Sequence, residues 1–123
     1  MSGYGGRDNS PAAIERRMAE LETELDSAVT QYRTLGEAAA LAAKHEEMAY
    51  ARAFLGAEGS MDLRKQKALL DTVEVRFDRR VADHKVAVQK QILYKLHDEV
   101  DLVRSRGANA RKEAELAQSG GRP

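Results

Sequence analysis

Seven residues of this chain, Ile14, Met18, Leu21, Leu25, Ala28, Tyr32 and Leu35, follow one another at alternating steps of four and three. An α-helix turns once per 3.6 residues, so this stepping places all seven on one stripe in the phase of a coiled coil, whereas a strand would alternate every second residue. A stripe of that length requires a facing helix to bury it. Ser10 and Pro11 mark its start: serine accepts from the free N–H groups of a first turn, and proline loses nothing at a position whose N–H would be unpaired. Composition agrees, with 33% charged residues, 5% aromatics, and neither tryptophan nor cysteine among 123 residues. That is the profile of long helices, and it excludes disulfides and thiolate metal sites.

Gly36 interrupts the stripe at a cost of about 1 kcal/mol relative to alanine, and the apolar phase shifts beyond it, so a kink or short break is expected there. The next stretch, 37–55, is alanine-rich, with Leu41, Met48, Phe54 and Leu55 as its larger apolar residues. Gly56-Ala57-Glu58-Gly59-Ser60 reads as a turn, with Gly56 in the left-handed position after a helix end and Ser60 as the next N-cap. From Met61 to Ser105 there is no proline or glycine, and Leu70, Val73, Phe77, Val81, His84, Val88, Ile92, Leu96, Val100 and Val103 recur at three- and four-residue steps.

The expected fold is therefore all-α: a flexible tail over 1–10, a long antiparallel coiled-coil-like hairpin over 11–106 with arms 11–55 and 61–105 and turn 56–60, then a short helix and tail over 107–123 with Gly107 ending the second arm. Each arm spans about 67 Å at 1.5 Å per residue. Two helices make a thin core, so the hairpin is expected to dimerise into a four-helix arrangement; a fold-back at Gly36 giving a three-helix bundle is the competing solution. The expected self-association seam comprises Ile14, Met18, Leu21, Leu25, Tyr32 and Leu35 of the first arm and Leu70, Phe77, Val88, Ile92 and Leu96 of the second.

Nothing in the chain carries recognisable catalysis. His45, His84 and His97 are far apart and lack metal-ligand spacing. His45-Glu46-Glu47 and His97-Asp98-Glu99 set an imidazole beside carboxylates, but adjacent residues point about 100° apart on a helix, and His84 falls on the apolar stripe. The glycine-rich pieces lack the strand context and the Lys-Ser/Thr of phosphate loops. No catalytic, cofactor or metal site and no small-molecule substrate are expected, and neither is a membrane span or a signal peptide. Residues 1–60 hold six basic and ten acidic residues, a net −4, and residues 61–123 hold fourteen and ten, a net +4. Either two antiparallel helices neutralise each other, or the second half meets nucleic acid. The candidate phosphate contacts are Arg64, Lys65, Lys67, Arg76, Arg79 and Arg80, although acidic residues interleave with them.

The run ARAFLGAEGSMDLRKQKALLDT from Ala51, with DEVDLVRSRGANARKEAELA from Asp98, resembles small helical proteins of unknown function encoded by tailed bacteriophages. The shared elements are the Ala-x-Ala-aromatic-Leu helix end, the Ala-Glu-Gly-Ser turn and the Asp-x-x-Arg-Ser segment. Tyr94 to Asp98 also looks like the Tyr-x-x-x-Asp/Glu export signal of small secreted hairpins. The tryptophan of their turn is missing here, and Tyr94 falls within the helix. The phage resemblance implies a protein of the infected bacterial cytoplasm encoded among early or DNA-metabolism genes. With the thin core and the lack of catalytic motifs, the expected role is a non-enzymatic homodimer that binds a phage or host protein, and the alternative is a nucleic-acid-binding accessory of phage DNA replication or recombination.

Overall fold

The structure, a computed structural model, describes residues 9–120. Most of the expected tail, 1–8, and the end, 121–123, lie outside the described residues. Three helices account for nearly all of the rest: α1 (Pro11–Gly56), α2 (Met61–Asp71) and α3 (Val73–Gly120). There is no strand among the described residues.

The starts of α1 and α2 follow the capping logic of the sequence. Ser10 Oγ accepts from the Ala13 N–H at 3.2 Å, and Ser60 Oγ accepts from the Leu63 N–H at 3.3 Å. Three expectations are corrected. Gly36 breaks nothing: α1 is one helix of 46 residues, which removes the fold-back, because one glycine costs the helix only about 1 kcal/mol and the alanines from Ala38 onward favour it. Gly107 does not end α3, which runs on to Gly120; it is buried, and its missing side chain makes room for Ile14, whose Cγ2 would lie 3.4 Å from an added Cβ. The left-handed glycine of the turn is Gly59 (φ 115°), whereas Gly56 is the last residue of α1.

A break the sequence did not announce falls at Thr72, between α2 and α3. Its backbone N–H bonds to the Leu70 carbonyl, which strands the carbonyl of Ala68 that a continuing helix would have used. The Thr72 hydroxyl donates to that carbonyl at 2.7 Å, and Arg76 Nη2 donates to the Leu69 carbonyl at 2.6 Å. A buried threonine, 2% exposed, and an arginine one turn on thus satisfy the groups a helix junction leaves open.

The described residues form two compact units. The first joins α1 up to Ala28 with α3 from Ile92 onward. Its segments are antiparallel, with Ile14 against Gly107 and Arg17 Nη2 donating to Glu99 Oε2 at 2.7 Å. Leu21 is fully buried with Val100 and Val103, and Ile14, Met18, Leu25 and Leu96 pack around them. Full burial of a leucine contributes about 1.5–3 kcal/mol, so this cluster anchors the unit.

The second unit, Val29–Gln91, is also antiparallel: Phe54 meets Arg64 across the turn, and Arg79 Nη1 donates to Glu46 Oε2 at 3.0 Å. In α1 the four-three stepping continues past Gly36 through Ala39, Ala42, Glu46, Ala49 and Ala53, all half-buried. This corrects the expected phase shift, which followed the bulkier Leu41 and Met48. In α2 and α3 the inward positions are Ala68, Thr72, Val75, Arg79, Ala82, Val86 and Gln89.

Candidate interaction face

The second unit buries only small and polar side chains and leaves most of its large apolar ones exposed. Its buried residues are Ala68, Thr72 and Gln89, and no large apolar side chain of the unit is buried. Alanine at inward positions lets two helix backbones approach closely, but contributes little burial energy. The side chains that could contribute more are exposed: Leu70 (75%), Phe77 (55%), Val73 and Val88 (45% each) on α2 and α3, and Leu41, Met48 and Leu55 on α1.

The α1 residues share one row. Leu41, Met48 and Leu55 are seven residues apart, and Leu41 and Met48 each precede an inward alanine. Val81 and Val88 of α3 likewise precede the inward Ala82 and Gln89. In an antiparallel pair, residues one position before the seam fall on the same flank of both helices, because reversing one helix also reverses its sense of rotation. The second unit therefore presents apolar side chains from both helices on one side, the kind of patch that marks an interaction site.

The expected seam divides between two environments. Ile14, Met18, Leu21, Leu25 and Leu96 form the interior of the first unit, and Tyr32 and Leu35 are half-buried in the second. Leu70, Phe77, Val88 and Ile92 face outward. The stripe read along α3 changed face: up to Ile92 it tracks an outer row, and from Leu96 onward it tracks the inner one. The inner row, Val75 through Ala82, Val86, Leu93, Leu96, Val100 and Val103 to Gly107, was hidden because Arg79 and Gln89 occupy two of its positions.

Four of the six candidate phosphate contacts are engaged inside the protein. Arg64 Nη2 donates to the Phe54 carbonyl at 3.4 Å, and the guanidinium carbon sits 4.8 Å over the Phe54 ring. Lys67 Nζ donates to the Glu58 carbonyl at 3.0 Å. These cations meet carbonyls at and just after the end of α1, where the helix dipole is negative. Arg76 closes the Thr72 junction, and Arg79 is held by Glu46 with Asp83 at 3.5 Å. The hydrogen bond to Glu46 raises the Arg79 pKa, and the bonds to Glu20 and Glu99 raise that of Arg17 against the opposing effect of burial. Lys65 and Arg80 are exposed.

His45, His84 and His97 are exposed, and among the described residues no three metal-donor side chains converge. No helix among the described residues is long and apolar enough to cross a membrane. Set beside known protein families, curated proteins and solved structures, the chain matches none of them.

Proposed function

We propose that this chain is a non-enzymatic helical interaction protein that self-associates, its antiparallel helix pairs dimerising into a four-helix arrangement, and that it binds a phage or host protein in the infected bacterial cytoplasm. The observation that carries the self-association is the second unit, where Leu41, Met48, Leu55, Leu70, Val73 and Phe77 are all exposed while the buried residues are only Ala68, Thr72 and Gln89. Covering those side chains supplies the burial that the unit's own interior lacks. The phage attribution rests on the resemblance of residues 51–72 and 98–117 alone.

The nucleic-acid reading draws on less. Arg64, Lys67, Arg76 and Arg79 spend donors on carbonyls and carboxylates of the protein, so a phosphate would compete with bonds already made. Binding that uses phosphate contacts weakens steeply with salt. Labelled single- and double-stranded oligonucleotides at low salt with micromolar protein are expected to show no shift, and a shift abolished by salt would favour the nucleic-acid reading instead. For self-association the direct test is mass by light scattering behind a sizing column, where a monomer at high concentration would remove the proposal.

A further inference from the structure

The self-association proposed above leaves open which surface meets which. We infer that the outer stripe of α3, Val73, Phe77, Val81, His84 and Val88, is the dimer seam, and that it pairs antiparallel with the same stripe of a second copy across a two-fold axis between Arg80 and Val81.

Three observations support this occupant. The five residues follow steps of four, four, three and four, and at 100° per residue they fall within an arc of about 80°. All five are exposed, and the most exposed apolar members are Phe77 at 55% and Val73 and Val88 at 45%. The spacing is also close to its own mirror image. With the chains reversed about the point between Arg80 and Val81, Val73 of one copy faces Val88 of the other, Phe77 faces His84, and the two Val81 side chains meet near the axis. A surface complementary to itself under a two-fold rotation is the condition for an isologous dimer. Facing Phe77 and His84 also gives the imidazole a ring to pack on.

The third observation is charge. Along one flank, the stripe carries Glu74 and Asp78 in its first half and Lys85 in its second. Antiparallel pairing places Lys85 of one copy between Glu74 and Asp78 of the other, twice per dimer. Parallel pairing would set this flank against the opposite one, so Lys85 meets Glu74 and Asp78 of the other copy only in the antiparallel arrangement. Complementary flanks fix orientation more than they add affinity. On the opposite flank Arg80 meets its own copy near the axis, with Asp83 three residues on as a counter-charge.

The absence of native cysteine makes the pairing readable by disulfide formation. Val73→Cys and Val88→Cys are prepared separately, one carrying a mass tag, then mixed, equilibrated and oxidised, with the untagged native chain followed in parallel by light scattering. The expected result is a mixed Val73→Cys/Val88→Cys disulfide in several-fold excess over either like-with-like product. If the native chain is dimeric but the mixed product is not enriched, the stripe or its direction is wrong and self-association survives. If the native chain is monomeric throughout, both fail. Charge reversal gives an independent reading: Lys85→Glu is expected to raise the dimer dissociation constant roughly tenfold, and the triple variant Glu74→Lys/Asp78→Lys/Lys85→Glu to return it to within about threefold of the native value. Loss in Lys85→Glu without recovery in the triple variant, at unchanged helix content, would overturn the antiparallel pairing.

Discussion

Gly36 and Gly59 show how one residue type can sit in opposite circumstances. At Gly36 the backbone is helical and an added Cβ would meet nothing within 4 Å, so Gly36→Ala is expected to stabilise the fold by about 0.5–1 kcal/mol, measured by urea unfolding. At Gly59 the φ of 115° is one that side chains disfavour, and a Cβ would sit 2.7 Å from Leu63 Cδ2. Gly59→Ala is therefore expected to cost about 1–3 kcal/mol in the same assay. Leu21, with no exposed surface, lies in the buried cluster with Val100 and Val103, and Leu21→Ala should cost about 2–5 kcal/mol. At this scale the sequence was legible where one residue type has one use: Ser10 and Ser60 cap as their chemistry requires. It was not legible for Gly56, Gly59 and Gly107, because a glycine can terminate a helix, form a turn or make room for a neighbour, and only the surrounding atoms decide which.

At the scale of the element, the same limit appears in the stripes. The first part of α1 was readable because its inward positions carry large apolar side chains from Ile14 to Leu35. Beyond Gly36 the inward positions are alanines and Glu46, while Leu41 and Met48 lie outside, so reading by bulk follows the wrong face. In α3 two apolar rows run side by side, an inner one stepping four-three and an outer one stepping closer to four-four-three, and they drift past each other along the helix. Polar inward residues at Arg79 and Gln89 conceal the inner row. The α2–α3 junction was invisible for a different reason: it has no glycine or proline and rests on the Thr72 hydroxyl and Arg76. Thr72→Val keeps the shape but removes the donor to the Ala68 carbonyl, and it is expected to cost about 1–3 kcal/mol by urea unfolding. An unchanged midpoint would mean that the hydroxyl is incidental to the junction.

The whole molecule combines a first unit with a packed apolar centre and a second that leaves most of its large apolar side chains exposed. An all-helical chain was readable from period and composition; the placement of its apolar surface was not, since periodicity reports a stripe without saying whether its partner is the same chain or another copy. Self-association predicts that charge placed in the outer stripe changes assembly and spares helix content. Phe77→Glu and Val81→Glu should each shift the chain to monomer while the helical circular dichroism is retained, because both residues are exposed. The most direct measurement is the mass of the native protein by light scattering behind a sizing column over a wide concentration range. The account predicts twice the 13.6 kDa chain mass, falling to the single-chain value in Phe77→Glu. A native mass of one chain at the highest concentration, or a Phe77→Glu variant that remains dimeric, would contradict it.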